Sequence, residues 1–294
     1  MAFNISGGSG GSFTGGTLTS KLGLVAASAG SASLNLPTAS AAPTSPNQGD
    51  IWFDGTDINF RNSTQNKVVA WNTSDPYAAN VSLLLNFNGT NGSTSFIDSS
   101  NYGHTFTAVG NAQLSTSGQK FGTACLALDG SGDKIWTANT ADLNVGTGAF
   151  TLEFWLACAS LATAQNVFAI GAYNAGNIFI QIATDGTLKV YNGGGGVFAA
   201  TAAGAVTVNA SYDFYQIIGY GSGASPAAMK IAKNGVDITA SGGTGSYNYS
   251  TANDLYIGET SGGTTEYYNG KIDSLRFTKG VARAINLPTT EFSL

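Results

Sequence analysis

The sequence predicts an all-β protein whose main part is a sandwich of two sheets. Three observations support this fold class. Glycine accounts for 40 of 294 residues, hydrophobic residues make up 43% of the chain, and short apolar runs are separated by turn residues at regular spacing. No stretch keeps helical periodicity for more than two turns. The hydrophobic fraction excludes wholesale disorder, and a chain of this length builds a core without disulfides.

Charge and cysteine content narrow the classes of function. A net charge of −5 and only three arginines argue against a nucleic-acid binder, because such a protein needs a basic surface. The sequence contains no run of about 18 apolar residues, so no membrane-spanning segment is predicted. The start of the sequence lacks the basic and apolar regions of a signal peptide, so we expect folding in a cytoplasm. Cys125 and Cys158 are then expected to be reduced, small core residues.

Residues 1–48 are predicted to be a docking and trimerisation segment. Lys21 is the one charged residue in this segment, which consists mostly of Gly, Ser, Thr and Ala with short apolar runs at 22–25 and 34–37. Such a segment cannot bury enough apolar surface by itself to offset the entropy of ordering it. It is either a disordered leader or a set of strands buried only between identical chains. The apolar runs favour the second interpretation.

Residues 49–75 are predicted to form a small β meander. Asp54-Gly55 lies between β-forming residues and is a strong hairpin signal, because both central positions of a type I′ turn need a positive φ. A third strand is expected at 67–71. The stretch contains two tryptophans and two phenylalanines, so it is expected to pack either on the main domain or on copies of itself, and the second interpretation is favoured. Asp75-Pro76 is the predicted domain boundary.

Residues 80–294 are predicted to form the sandwich. Residues 150–156 show the clearest alternation of apolar and polar positions in the chain. Asp185-Gly186 and Asn234-Gly235 are predicted to be hairpin turns. The predicted strands are 82–87, 124–128, 150–156, 179–182, 187–191, 229–232, 236–238, 255–258 and 270–277.

Four segments of this part resemble the laminin-G type of concanavalin A-like jelly roll that occurs in bacteriophage and bacterial surface proteins. They are residues 83–100, 120–133, 150–155 and 268–283, and their order and spacing match together. The resemblance implies a jelly-roll sandwich. It says little about the ligand, because one fold hosts many functions.

A second, shorter resemblance concerns residues 46–56, which read Pro-Asn-Gln-Gly-Asp-Ile-Trp-Phe-Asp-Gly-Thr. This stretch is similar to a hairpin element of phage tail-fibre and virion-appendage proteins. Such proteins are usually trimers with intertwined N-terminal segments, so the resemblance implies a homotrimer. It agrees with the apolar runs of residues 1–48, which need partner chains to become buried.

The chain lacks the residue patterns of the enzymes with which it shares the predicted fold. Glucanases of that fold carry carboxylates on one strand, spaced as Glu-x-Asp-x-x-Glu, because glycoside hydrolysis needs two carboxyl groups across the scissile bond. None of the four glutamates belongs to such a triplet. His104 is the only histidine, and no Gly-x-Ser-x-Gly elbow, in which the serine lies on a turn between a strand and a helix, is predicted. The sequence therefore predicts a protein that is not an enzyme.

Carbohydrate binding without catalysis fits the residues better. Sugars stack on flat aromatic rings and form hydrogen bonds with amide and carboxylate groups on loops. Trp136 is a candidate because the similar family usually has a small or polar residue there. The other candidates are Tyr173, Asn174, Tyr267 and Tyr268. The alternative for Trp136 is packing at a subunit contact or against the meander.

Calcium is the one cofactor that the resemblance implies. In similar jelly rolls an ion bridges an acidic loop after the first strand to an acidic residue of the last strand, and Asp98 and Asp273 match those positions. Ca²⁺ needs six to eight oxygen ligands, and Ser274 stands where a second aspartate is usual. The alternative for Asp98 is a set of turn hydrogen bonds.

Together these features predict a structural phage virion appendage of the tail-fibre type that displays a lectin-like domain. Its expected partners are copies of itself, other virion proteins and a host-surface glycan, and its expected location is the surface of the virion. Two alternatives stay open. One is a capsid decoration or head-fibre protein, and the other is a carbohydrate-binding module.

Overall fold

The computed structural model describes residues 51–53, 58–61, 66–68, 75–171, 177–192, 196–249, 253–260 and 265–294. The predictions for residues 1–48 and for the Asp54-Gly55 turn lie outside this part of the chain. Residues from Ser74 onward form one compact unit, and the described strands before it belong to another. Within the described ranges, no helix is long and apolar enough to cross a membrane.

The first unit contains a three-stranded antiparallel sheet. Its strands are β1 (Ile51–Phe53), β2 (Ile58–Arg61) and β3 (Asn66–Val68), in the order β1-β2-β3. Ile51 lies opposite Phe60, and Asn59 lies opposite Val68. The two strands of the predicted hairpin and the third strand are therefore present, with the third strand beginning one residue earlier than expected.

The second unit is a sandwich of two antiparallel sheets, which confirms the predicted fold class. Sheet I has the order β17-β13-β12-β11-β10-β18-β8-β5, and sheet II has the order β16-β15-β14-β9-β19-β7-β6 with β4 also paired to β19. The strands are β4 (Val81–Leu85), β5 (Thr107–Val109), β6 (Gln113–Ser115), β7 (Cys125–Asp129), β8 (Lys134–Thr137), β9 (Phe150–Cys158), β10 (Gln165–Ile170), β11 (Ile178–Ile182), β12 (Leu188–Asn192), β13 (Val197–Thr201), β14 (Asp213–Gly219), β15 (Met229–Lys233), β16 (Val236–Asp237), β17 (Thr239–Gly242), β18 (Leu255–Ile257) and β19 (Asn269–Lys279). A single 3₁₀ turn, Ala78–Asn80, precedes β4 in the described part of this unit.

The predicted strands are all present with small shifts of their ends, but the sequence analysis did not predict β5, β6, β8, β10, β13, β14 and β17. Every residue of β10 is buried, and so is every residue of β14 except Asp213. Strands covered on both faces carry apolar residues without strict alternation, so their sequences lack the period-2 signal. The edge strands β5 and β6 were missed for the opposite reason, because most of their residues are exposed or half-buried.

The main core lies between the two sheets. Phe154 and Phe277 of sheet II face Phe168 and Ile180 of sheet I, and all four are fully buried. The rings of Phe168 and Phe277 are 6.0 Å apart. Each such side chain contributes on the order of 2 kcal/mol to folding through apolar burial.

Cys125 and Cys158 are free and buried, as the sequence predicted. Burial raises the pKa of both thiols, because a low-polarity environment disfavours the thiolate. Both side chains therefore act as small apolar residues at neutral pH.

The Asn234-Gly235 turn between β15 and β16 has the predicted geometry. Asn234 has φ 49° and Gly235 has φ 80°, which are the two positive values that a type I′ turn requires. The Asn234 side chain accepts a 2.8 Å hydrogen bond from the Phe214 amide and donates one to Asp213. A local sequence signal and a tertiary contact therefore support the same backbone conformation.

Strand β19 is the centre of sheet II. One edge pairs with β9 over most of its length, and the other edge pairs first with β7 and then with β4. The pairing shifts between Asp273 and Arg276, and Ser274 takes the positive φ of 44° within this bulge. The bulge allows the strand to pair with a different neighbour in each half.

A buried cluster of four charged side chains lies on the outer face of sheet II, away from the main core. Arg276 places Nη2 2.7 Å from Glu153 and Nη1 2.9 Å from Asp75. Arg283 forms two hydrogen bonds with the Asp75 carboxylate, of 2.9 Å and 2.6 Å. Glu153 and Asp75 thus balance the two guanidinium groups. Gln216 also donates a 3.1 Å hydrogen bond to Glu153.

Asp75, which the sequence analysis assigned to the end of the meander, lies in the second unit and contacts other residues of that unit. Burial opposes ionisation of its carboxyl group. Hydrogen bonds from Arg283 and from the Tyr77 amide, together with the charges of Arg283 and Arg276, outweigh burial and hold the pKa of Asp75 below its usual range.

Replacing Glu153 with Ala leaves Arg276 buried on the outer face of sheet II without its nearest carboxylate. We expect Glu153→Ala to lower the free energy of unfolding by about 3 to 5 kcal/mol, because an uncompensated buried charge is costly. The measurement is the urea midpoint of the full chain. The matched control is Asp237→Asn, which breaks the more exposed pair between Lys230 and Asp237 and should cost less than about 1 kcal/mol. Equal losses for the two variants would contradict the structural role of the cluster.

Candidate functional site

A row of aromatic side chains crosses the outer face of sheet I. Trp136 of β8 lies opposite Tyr256 of β18, and Tyr256 lies opposite Ala169 of β10. The row continues through Phe179 of β11 to Tyr191 of β12. We call these five residues the aromatic face.

The strand sequences direct these side chains away from the main core. Trp136 follows Ile135, which is fully buried in that core, and Tyr256 lies between two such residues, Leu255 and Ile257. Because side chains alternate along a strand, the residues between the core positions point outward. Ala169, Phe179 and Tyr191 form a small apolar cluster of their own, separate from the main core.

The aromatic face has an accessible end and a buried end. At the accessible end, the rings of Trp136 and Tyr256 are both half-buried and are stacked, with centroids 6.4 Å apart and planes inclined by 24°. At the buried end, Phe179 and Tyr191 stack at 4.2 Å and 10°. The accessible end therefore offers the exposed aromatic surface to a ligand.

Polar groups with fixed orientation adjoin the buried end. Glu266 accepts hydrogen bonds from Gln181 at 2.9 Å and from Asn166 at 3.0 Å. The Tyr191 hydroxyl donates a 3.0 Å hydrogen bond to the Gln181 side-chain oxygen. Glu266 is half-buried, whereas Asn166 and Gln181 are buried. The two amides therefore hold the carboxylate in place beside the aromatic row.

A buried ion pair adjoins the accessible end. Lys134 lies two residues before Trp136, and its ammonium group contacts the buried Glu259 carboxylate at 2.5 Å. The same ammonium group is 5.4 Å from the centre of the Tyr256 ring. Burial and the nearby Asp254 carboxylate raise the pKa of Tyr256, so its hydroxyl stays protonated at neutral pH. This part of the site combines two aromatic rings, a hydroxyl and a charged pair.

The predicted ligand-binding residues lie in different parts of the structure. Trp136 lies on the aromatic face, in a strand and not in a loop. Tyr267 is half-buried and forms an isolated parallel bridge with Asn166, next to the polar groups. Tyr173 and Asn174 lie outside the described residues.

The assignment of Tyr268 to a ligand-binding loop is corrected by the structure. Its side chain is fully buried in the main core, and its hydroxyl donates a 2.8 Å hydrogen bond to the Ala157 carbonyl oxygen. Tyr268 directly precedes β19, where neighbouring side chains alternate between the two sides of the sheet. Tyr268 therefore points inward beside the half-buried Tyr267, and it cannot reach a ligand at the surface.

The sequence analysis missed most residues of the site, among them Tyr256, Asn166, Gln181 and Glu266. Tyr256 had a usable signal, because alternation with Leu255 and Ile257 places it on the outer side of a predicted strand. Asn166, Gln181 and Glu266 had none. They are far apart in the sequence, and only the sheet pairing brings them together.

The two predicted calcium ligands have separate hydrogen-bond partners. Asp98 accepts backbone hydrogen bonds from Leu84, Ser100 and His104, and the His104 ring nitrogen Nδ1 lies 2.7 Å from its carboxylate. Asp273 accepts hydrogen bonds from the amides of Lys120 and Phe121. In the described ranges, no group of three or more His, Cys, Asp or Glu side chains is placed to hold a metal ion. Each carboxylate thus has its own set of hydrogen-bond donors, and calcium binding by Asp98 and Asp273 stays a prediction.

Comparisons with known proteins give the same fold. A family model described as the concanavalin A-like lectin/glucanases superfamily matches residues 129–284, which is more than half of the chain. The solved binding domain of Paraclostridial Mosquitocidal Protein 1 is similar, with 12% identity and a TM-score of 0.53. That match covers 70% of this chain and 50% of the other. The resemblance to a concanavalin A-like jelly roll is thereby confirmed.

Two further solved structures show weaker similarity. Domain 4 of the extracellular arabinanase AbnA from Geobacillus stearothermophilus has 16% identity and a TM-score of 0.48, over 69% of this chain and 94% of that one. The binding domain of botulinum neurotoxin serotype G has 13% identity and a TM-score of 0.49, over 68% of this chain and 48% of that one. This chain therefore spans about half the length of the two toxin chains. No curated protein sequence matches it significantly.

Asp273 gives the sandwich a measurable dependence on pH. Burial raises the pKa of its carboxyl group to about 6, although hydrogen bonds from the Phe121, Lys120 and Ser274 amides oppose the shift. The folded state therefore binds the proton more tightly than the unfolded state does. The stability contributed by this proton is complete below pH 4 and is lost as the pH rises to 6.

We expect Asp273→Asn to remove this loss, because the amide oxygen still accepts the backbone hydrogen bonds and carries no charge. Relative to the original chain, the variant should gain about 3 kcal/mol between pH 4 and pH 7. Urea unfolding at several pH values measures the difference. The control is Asp185→Asn, whose carboxyl group is exposed and has a lowered pKa. If Asp273→Asn and the original chain showed parallel pH profiles, the assignment would be wrong.

Proposed function

The chain belongs to the concanavalin A-like lectin/glucanase superfamily, and within it we propose that this protein is a non-catalytic phage virion appendage that binds a host-surface glycan. The observation that carries the glycan-binding part is the stacked pair of Trp136 and Tyr256 at the accessible end of the aromatic face. Partly exposed rings on a rigid sheet offer the flat surface on which the apolar face of a sugar stacks.

The polar groups beside the rings support a sugar ligand. The Lys134–Glu259 pair and the Tyr256 hydroxyl provide donors and acceptors near the stacking surface. Glu266 and its amide partners extend this polar lining along the sheet. A small number of fixed polar groups around an aromatic surface is the usual composition of a small-molecule site.

The contacts of the glutamates support a role without catalysis. Glu153 faces Arg276 on the outer side of sheet II, and Glu259 pairs with Lys134. Glu291 accepts a 2.7 Å hydrogen bond from Asn88. Glycoside hydrolysis needs one carboxyl group that donates a proton and a second on the opposite side of the scissile bond. These pairings fit carboxylates that stabilise the fold.

The virion role is supported by the sequence of residues 46–56 and by the composition of residues 1–48. Apolar runs in a segment with almost no charge are suited to burial between identical chains. In a trimer, three weak glycan sites act together, so overall binding is strong even when each site is weak. Display of many copies on one particle increases this effect further.

Removing the stacking surface should weaken glycan binding. We expect Trp136→Ala and Tyr256→Ala each to reduce affinity for the best ligand on a glycan array by about tenfold, which corresponds to about 1.4 kcal/mol. The control is Tyr220→Ala, which removes an exposed aromatic ring that follows β14 of sheet II. Unchanged binding by both variants, with the fold intact, would show that the aromatic face is not the glycan site.

The oligomeric state tests the virion part independently. Sedimentation equilibrium of the full chain at micromolar concentration should give three times the chain mass of 29.9 kDa. A monomer mass would contradict the trimer. Competition for phage adsorption then separates the roles, because a receptor-binding appendage blocks attachment in proportion to dose, whereas a capsid decoration protein does not.

A further inference from the structure

A cavity of about 500 Å³ lies on the outer face of sheet II, on the side of the sandwich opposite to the aromatic face. Strands β6, β7, β9 and β19 and the segment 208–210 surround it. Its size is within the range of about 300 to 1,000 Å³ that is typical of small-molecule sites. No residue of the aromatic face lines it.

The floor of this cavity combines Lys271 with small side chains at the positions paired to it. Lys271 of β19 lies opposite Ala127 of β7 on one side and opposite Ala157 of β9 on the other. Gly270 also lines the floor. In the neighbouring row, Asp273 lies opposite Trp155, whose indole ring is packed under Phe121 and Phe214. The cavity therefore begins where large side chains give way to alanines.

The rim of the cavity carries neutral amides and two carboxylates, the exposed Asp129 and the buried Asp133, which accepts hydrogen bonds from the backbone amides of Asn111 and Asp129. Asp129 accepts hydrogen bonds from the Asn111 side chain at 3.0 Å and from the Ser131 amide at 2.8 Å. The backbone N–H of Asn209 donates a 2.9 Å hydrogen bond to the Cys158 carbonyl oxygen, which fixes the position of this residue. The remaining polar side chains of the lining include Gln113 and Asn269. The rim therefore presents both donors and acceptors.

The charges of the cavity favour a neutral ligand. Lys271 directs its ammonium group to the Ser117 carbonyl oxygen at the edge, and Asp129 is exposed on the rim. A polyanion would meet the Asp129 and Asp133 carboxylates, and a cation would meet Lys271. A neutral molecule that carries hydroxyl and amide groups avoids both penalties.

We propose that this cavity is a second carbohydrate site that takes an N-acetylated neutral sugar. The methyl of an acetamido group fits the small apolar floor at Ala127 and Ala157. The N–H and C=O of that group match the rim amides, and the ring hydroxyls match Asp129. This proposal extends the proposed glycan-binding function, because two sites on opposite sheets allow one domain to hold two glycan chains.

The test uses the full chain and isothermal titration calorimetry with two probes. N,N′-diacetylchitobiose carries acetamido groups, and cellobiose has the same ring linkage without them. We expect diacetylchitobiose to bind at least about tenfold more tightly than cellobiose. Ala127→Phe should abolish this binding by filling the cavity, whereas Ala202→Phe, on an exposed turn of sheet I, should leave it unchanged. Diacetylchitobiose binding that is absent, or that survives Ala127→Phe, would overturn the proposal.

Two further variants keep the outcomes distinct. Asp129→Asn removes the rim charge with little change in volume, and it should weaken diacetylchitobiose binding about fivefold even if Ala127→Phe fails to fold. Trp136→Ala should leave cavity binding intact. If Trp136→Ala abolished all sugar binding and Asp129→Asn had no effect, the cavity proposal would fail while the proposed glycan-binding function would stand. Binding that depends on Asp129 and not on Trp136 would support the cavity and count against the aromatic face.

Discussion

The pairing of charges beneath the C-terminal segment is the constraint on which the sandwich depends. The C-terminal segment consists of residues 280–294, which follow β19 and cover part of the outer face of sheet II. The centre of the Phe292 ring lies 6.2 Å from the centre of the Phe214 ring and 4.2 Å from the Arg276 guanidinium carbon. Covering this face removes Glu153 from water, and a buried carboxylate is tolerated only when it is paired. Arg276 and Arg283 provide the pairing, and Asp75 balances the second positive charge. The first residues of the sandwich, its central strand and its last segment are thereby held together.

This arrangement makes the two outer faces of the sandwich different. On sheet II, the C-terminal segment and the buried apolar cluster of Val81, Leu84, Trp155 and Phe214 occupy most of the surface beside β9 and β4. The part of the face next to β7 carries alanines and stays open as the cavity. On sheet I, the outer side carries the aromatic face, with half-buried rings at one end. One fold thus provides two surfaces with different chemistry, one aromatic and one lined by amides.

The two surfaces also differ in how they would hold a ligand. The Trp136–Tyr256 pair offers area for stacking, which tolerates different sugars because it depends on ring shape more than on particular hydroxyl groups. The cavity on sheet II offers directed hydrogen bonds over a small floor, which discriminate between substituents. A domain that uses both surfaces would bind many sugars weakly at one surface and select particular substituents at the other. In a trimer, three copies of each surface would strengthen the overall binding.

The sequence by itself determined the all-β class, most of the strands, and turns such as Asn234-Gly235, because these features depend on alternation and on local backbone preferences. It also identified Trp136 as an unusual aromatic residue. The tertiary structure alone decided that Tyr268 is buried while Tyr267 is half-buried, since one step along a strand reverses the direction of a side chain. It alone joined Asp75 to Arg283 and Asn166 to Glu266. Residues 100 or more positions apart leave no local pattern in the sequence, so which surface is covered, charged or open follows only from how the sheets pair and what packs on them.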